Sequence, residues 1–207
     1  MNEYIEHYFY RILCIFQRLK YKIIFYKIDI YPWHLSGTLY CRKYKIKTLQ
    51  IINRIKPDFY IDIGCGLGEI LNKANVKESN KFGFDIDKRL NKAIKKANHK
   101  FHFSSNKIEF FDLLKTKVKC RKGLIIVTLL NFSHKISEEE LLKYLKKLNE
   151  CLGSYILITD SIFDNSKEYQ YSHKSFLDKQ EYILEYIERI DQIRSLYCIS
   201  FDNNIIV

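Results

Sequence analysis

Gly64, Gly66 and Gly68 fall within five positions of the stretch YIDIGCGLGEIL (residues 60–71), in a chain with seven glycines among 207 residues. Glycine costs backbone entropy and adds no packing, so the cluster marks a turn needing positive φ or a close approach of a ligand to the backbone. Asp62 stands two residues before the first glycine, Asp85 closes the run KFGFD, and Asp112 follows IEFF. Carboxylates are acceptor-only when ionised and suit ligands rich in hydroxyl and amine donors, such as a ribose. Histidine, with an ordinary pKa of about 6.5, is the natural general base near neutral pH. His134, His173 and His34 are the candidates, His134 after an apolar run and His173 in the polar, aromatic stretch SKEYQYSHKSF.

The elements that must hold these residues follow from their flanks. Phe59-Tyr60-Ile61 is apolar and β-prone, and Glu69 to Ala74 is helix-forming, so the glycines sit in a strand–turn–helix unit. Such a turn aims backbone N–H groups and a helix dipole at a ligand. A dinucleotide fingerprint would space its glycines G-x-G-x-x-G. Here the third glycine arrives one residue early, and Glu69 occupies the place of the last small residue, where a carboxylate would repel a pyrophosphate. Beyond the loop the pattern predicts helix 69–76, strand 81–85, helix 88–98, strand 107–111, strand 123–130, helix 138–151 with Ser137 and Glu140 as a capping box, and strand 154–160. Strands at 182–190 and 194–201 close the chain. Regular β/α alternation implies an α/β fold, a doubly wound, mostly parallel sheet, here of seven strands, with ligands at the carboxyl ends of its strands. Residues 1–56 read as an N-terminal helical extension or cover, and 57–207 as the main domain.

The series Asp62-Ile-Gly64-Cys-Gly66-Leu-Gly68 resembles the first motif of class I S-adenosylmethionine-dependent methyltransferases, which have a Rossmann-like fold. The resemblance implies S-adenosylmethionine as cofactor. It implies that Asp62 helps to hold the cofactor's amino-acid part, and that Gly64, Cys65, Gly66 and Gly68 pass beneath its methionine and ribose. Asp85 would take the ribose hydroxyls, Asp112 the adenine amino group, and Ile86 and Phe111 the two faces of the ring. Asn131 joins this cofactor set at the mouth of the site. With prolines at 32 and 57 alone, the chain lacks the Pro-containing loops of base-amine and cytosine methyltransferases, and VTLLNFSH (127–134) offers no carboxylate for a catalytic Mg²⁺. The order PWHLSGTLYCRKYK, DIGCGLGEIL, LLNFSHKISEEEL, YQYSHKSF is similar to methyltransferases of bacterial surface-polysaccharide biosynthesis, over residues 31–201. This implies O-methylation of a small sugar or surface-glycan precursor, with Trp33, His34, Tyr169 and Tyr171 lining the acceptor site and His173 or His134 as the base. In the related sequences the histidine loop often reads His-Asp-Phe; here Lys174-Ser175 follow His173.

Charge adds other readings. Residues 1–56 carry eleven Lys/Arg against Glu3, Glu6 and Asp29, a net of +8 out of the chain's +11. An RNA methyltransferase whose basic quarter tracks phosphates is one alternative. A non-catalytic binding protein with the methyltransferase fold is another. The interleaving of these charges with large apolar residues argues against nucleic acid and suits helices packed on the sheet, or peripheral membrane contact through residues 3–28. When that segment is wound as a helix, no single apolar face stands out. Six scattered cysteines suggest neither zinc nor a disulfide framework and, with no signal-peptide pattern, a reducing cytoplasm. Oligomeric state has no signature in the sequence.

Overall fold

The computed structural model describes residues 3–119, 122–131, 136–162, 183–190 and 194–201. Helices α1 (Glu3–Ile24), α2 (Pro32–Ser36) and α3 (Lys43–Ile55) precede β1 (Phe59–Ile63). Then follow α4 (Glu69–Lys73), β2 (Lys81–Phe84), α5 (Leu90–Lys96), β3 (His102–Ser104), α6 (Lys107–Lys117), β4 (Ile125–Leu129), α7 (Glu138–Leu152), β5 (Tyr155–Ile162), β6 (Ile183–Arg189) and β7 (Arg194–Phe201). The strands form one seven-stranded sheet in the order β3-β2-β1-β4-β5-β7-β6. β1 to β5 pair in parallel, and β7 runs antiparallel between β5 and β6. This is the mostly parallel, doubly wound, Rossmann-like sheet expected, with helices before it.

Both sheet faces are covered, so β1 and β4 are buried along their whole length, as parallel strands in such folds are. The period of two then sorts their side chains. Phe59, Ile61 and Ile63 pack with α6 and α7, while Tyr60 packs on the other face with Ile51, Ile52, Ile70 and Leu71 of α3 and α4. Asp62 lies on that second face too, beside Gly83 of β2 and Thr128 of β4 by register. Ser137 caps α7 by accepting from the Glu140 amide, and Gly153 ends it at φ 78°.

Three expectations are corrected. Residues 107–111 are not a strand but the first turns of α6. Asn106 caps that helix by accepting from the Ile108 and Glu109 amides, and Phe110, Phe111 and Leu114 recur at helical spacing on its buried side. The third strand is the three-residue stretch His102–Ser104, too short and polar to signal itself. Cys14 and Cys41 form a disulfide (Cα–Cα 5.1 Å) that ties α1 to the 3-10 turn Leu39–Cys41. Cys65, Cys151 and Cys198 are buried free thiols.

Candidate functional site

The turn from β1 into α4 takes its shape from three left-handed residues, Gly64 (φ 77°), Gly66 (φ 55°) and Gly68 (φ 67°). Each conformation is costly for a residue with a Cβ, and two of the glycines are also required by their neighbours. A Cβ on Gly68 would overlap the Phe101 ring, and one on Gly66 would lie 3.2 Å from His34 Nδ1. Four of the loop amides are not aimed at a ligand. Gly64 and Cys65 N–H donate to the Phe84 carbonyl, Gly68 N–H to the Cys65 carbonyl, and Gly66 N–H to Asp85 Oδ2 at 2.9 Å. A phosphate-binding turn needs those groups free. This turn presents carboxylates instead.

Above it opens a cavity of about 430 Å³, within the range of small-ligand sites. Asp62, Asp85 and Asp87 enter it from the strand ends, with Gly64, Cys65, Gly66 and Ile86 alongside. Asp62 is 4% exposed, and its Oδ1 accepts from Thr128 Oγ1 at 2.7 Å, which in turn contacts the Tyr60 hydroxyl. Burial pushes its carboxyl up to about 7; the Thr128 hydroxyl and the Lys45 charge hold it from rising further, and Asp85 adds to the rise. Asp85 accepts both the Gly66 and Asp87 amides through its two oxygens. Asp87 accepts the Arg89 amide and pairs with the Arg89 guanidinium at 2.8 Å. Although burial would raise the Asp87 carboxyl, Arg89 outweighs it and holds it below its usual range. Burial raises the Cys65 thiol far above its ordinary value, which leaves it an inert part of the wall.

The facing wall comes from residues 31–45. His34 Nε2 stands 3.6 Å from Asp87 Oδ2, with Nδ1 turned to Gly66. Burial lowers the His34 pKa despite the raising effect of Asp85 and Asp87, so the imidazole is neutral near pH 7. Tyr31 stacks on Trp33 at 4.0 Å on one face and on the Arg89 guanidinium at 3.5 Å, and this pile flanks the His34–Asp87 pair. Lys45 binds Glu69 at 3.1 Å and the Gly37 carbonyl at 2.6 Å. Burial works against its charge, but Glu69 outweighs that and raises its pKa. Glu69 itself is 5% exposed and also accepts from Gln17 of α1 at 2.6 Å.

At the carboxyl ends of β4 and β5 lies a third cluster. Asn131 adopts φ 52°, a left-handed conformation that Asn tolerates better than most residues. Its N–H donates to Asp160 Oδ1 at 2.7 Å and its Oδ1 accepts from Arg194 at 3.4 Å. Arg194 closes the set with an ion pair to the buried Asp160 (3.1 Å) while lying over the Tyr44 ring at 4.1 Å. Burial raises the Asp160 carboxyl, and Arg194 offsets part of that rise.

Of the residues singled out in the sequence, the cavity gathers Trp33, His34, Asp62, Gly64, Cys65, Gly66, Asp85, Ile86 and Asn131. Gly68 lies at the back of the turn, against Phe101. Phe111 and Asp112 are elsewhere: Phe111 is 3% exposed in the core beneath α7, Asp112 sits on the exposed side of α6, and neither lines the cavity. They were expected there because 107–111 read as a strand. His134, Tyr169, Tyr171 and His173 lie outside the described residues. Missed in the sequence were Lys45, Glu69, Asp87 as a site residue, Asp160 and Arg194. Asp160 carried a legible sign, as an acid at the end of a strand. Arg194 and Lys45 carried none, being two of 35 basic residues.

Neither a protein-family model nor any curated protein matches the sequence. Solved structures do match in shape. Magnesium protoporphyrin IX methyltransferase (ChlM) from Synechocystis PCC 6803, with bound SAM, aligns at TM-score 0.51 and 14% identity, over 89% of this chain and 90% of that one. A putative type 11 methyltransferase from Sulfolobus solfataricus aligns at 0.53 and 13%, over 76% and 92%. The bifunctional kinase-methyltransferase WbdD aligns at 0.51 and 15%, over 86% of this chain, which spans 43% of that protein. At these identities the likeness is one of fold: the chain has the class I S-adenosylmethionine-dependent methyltransferase fold.

Proposed function

We propose that this protein is an S-adenosylmethionine-dependent O-methyltransferase acting on a small sugar or surface-glycan precursor, with residues 1–56 as the cover that completes its site. One observation carries the cofactor assignment. The glycine turn commits the amides of Gly64, Cys65, Gly66 and Gly68 to backbone carbonyls and Asp85, and puts Asp62, Asp85 and Asp87 at the cavity floor. That floor repels a pyrophosphate and suits a cationic ligand with hydroxyls. Asp62 fits an ammonium group, which would draw its carboxyl into the charged form. Asp85 keeps lone pairs for ribose hydroxyls after accepting two amides. Bound there, S-adenosylmethionine supplies an activated methyl on a sulfonium leaving group.

The chain's own task is to position the acceptor and remove its proton. Alignment contributes about 7–11 kcal/mol in well-oriented reactions, and a base contributes about 10²–10⁴ in rate for a weak nucleophile such as a sugar hydroxyl. Of the three candidate bases, His134, His173 and His34, the last lines the cavity. Its imidazole is neutral and lies beside Asp87. The assignment of a sugar acceptor rests on the sequence resemblance over residues 31–201.

Calorimetry with S-adenosylmethionine and S-adenosylhomocysteine tests the first half. Asp85→Ala should weaken binding by about 1.5–3 kcal/mol, the worth of a hydrogen bond to a charged group. A folded wild-type protein that binds neither ligand defeats the proposal. For the second half, methyl-labelled cofactor is incubated with sugar-nucleotide and glycan extracts and, separately, with RNA. Label appearing in RNA alone would replace the sugar reading.

A further inference from the structure

Helix α1 has two apolar faces, and the fold uses one. Tyr21 and Phe25 are each 4% exposed in the cluster formed with Leu67, Leu90 and Ile94, and Gln17 on the same side reaches Glu69. On the opposite side Phe9, Ile12, Phe16, Leu19 and Ile23 recur at steps of three and four residues, and Tyr26 extends the series beyond the helix end. Every one of these six is at least 52% exposed, and Ile23 reaches 76%. The expectation that no single apolar face stands out along residues 3–28 is thereby corrected, the exposed side being the more apolar one. The exposed residues form a continuous apolar stripe about four turns long, larger than the scattered single residues that need no explanation.

The charges beside the stripe say what covers it. At about 100° per residue, Arg11, Arg18 and Lys22 fall along one edge and Lys20 along the other. No Asp or Glu occurs from Tyr8 to Ile28. Beside the first edge runs an open groove of about 940 Å³ lined by Arg11, Arg18, Lys43 and Lys47, with Glu188 paired to Lys47 at 3.0 Å. A second copy packed stripe to stripe would set these cations against one another. An anionic surface meets both features, taking the stripe into its apolar boundary while the long basic side chains reach its headgroups. No helix among the described residues is long and apolar enough to cross a membrane, so α1 would lie along the surface. We propose that this face docks the protein on a membrane bearing anionic lipid, with α1 in the interface and Arg11, Arg18, Lys20 and Lys22 at headgroup level. Because α1 leads directly into the segment carrying Trp33 and His34, docking would hold one wall of the cavity at the lipid surface.

Flotation of the full chain with vesicles of phosphatidylcholine alone and of a phosphatidylcholine–phosphatidylserine mixture tests this. The chain should float with the mixture, not with the neutral vesicles, and less so as salt rises. Lys20→Gln and Lys22→Gln should each lower partitioning about fivefold. The pair Phe16→Ser with Ile23→Ser should lower it at least about tenfold, with the melting temperature and cofactor binding of the wild type retained, since both side chains are exposed. Equal flotation with both vesicles, or none from a folded wild-type chain, overturns the proposal. So does a dimer in solution that the Phe16→Ser, Ile23→Ser pair dissociates while vesicles leave it untouched, because the face would then belong to a second copy.

Discussion

The floor of the cavity and the cluster at its far end are built by different means. On the floor, backbone geometry does the positioning: three left-handed glycines set the turn, and Asp85 is fixed by two amides. At the far end, side chains hold one another, with Arg194 bridging Asp160, Asn131 and the Tyr44 ring. The first kind of construction is local in the sequence and tolerates almost no change of residue type. The second joins residues 29 to 63 positions apart, with Tyr44 farther still, and depends on completeness, because a buried charge left alone is costly.

That contrast can be broken most severely at the far end. Arg194→Ala leaves Asp160 buried without its ion pair and should destabilise the fold by about 3–5 kcal/mol in chemical denaturation. Adding Asp160→Asn should recover most of the loss; if the single variant were as stable as the wild type, the cluster would not be interdependent. On the floor, Gly66→Val places a β-branched residue at φ 55°, which introduces about 1–3 kcal/mol of strain. It also pushes a side chain into His34. The strain lowers stability, while the intruding side chain should reduce cofactor affinity in calorimetry by about 100-fold.

Asp62 gives a milder, pH-dependent test. Its carboxyl lies at about 7 in the folded chain against an ordinary 3.8, so the folded state keeps a proton that the unfolded chain has released. Its contribution to stability is therefore full below about pH 4 and declines as pH rises to about 7. A cationic cofactor needs the charged form, so its affinity should fall by up to about tenfold per pH unit below 7 and level off above. Asp62→Asn should flatten that profile and raise the melting temperature of the ligand-free protein at pH 8 while weakening cofactor binding. An unchanged pH profile would mean that Asp62 does not meet the ammonium. The smallest effect belongs to Asp112→Ala. On the exposed side of α6, it should alter stability by less than about 0.5 kcal/mol and leave cofactor affinity untouched in the same titration; a clear loss would return it to the adenine site.

The pattern of what the sequence revealed follows the same division. Asp62, the glycines and Asp85 were readable because local spacing is what makes that turn work. The parallel sheet was readable from the alternation of elements. The third strand was lost because His102–Ser104 is three residues long, while IEFF in α6 has the residues of a strand and the caps of a helix. Arg194, Asp160 and Lys45 join the site through pairing across the sheet or through a covering helix. The apolar face of α1 is present in the sequence as the series Phe9, Ile12, Phe16, Leu19 and Ile23, but three dimensions are needed to show that this face is the exposed one and that Tyr21 and Phe25 lie on the packed one.

The placement of β7 bears on how the protein comes into being on the ribosome. This strand is inserted between β5 and β6, and it starts with the arginine that closes the far end of the cavity. Domains begin to fold as they are synthesised, and β1 to β5 can assemble in the order in which they emerge. The edge of β5, however, stays open until residues 194–201 have left the exit tunnel, with Asp160 lacking its partner. A nascent chain halted before that point would hold the glycine turn and its acids but only an unfinished pocket, so ligand-binding competence should wait for the emergence of β7.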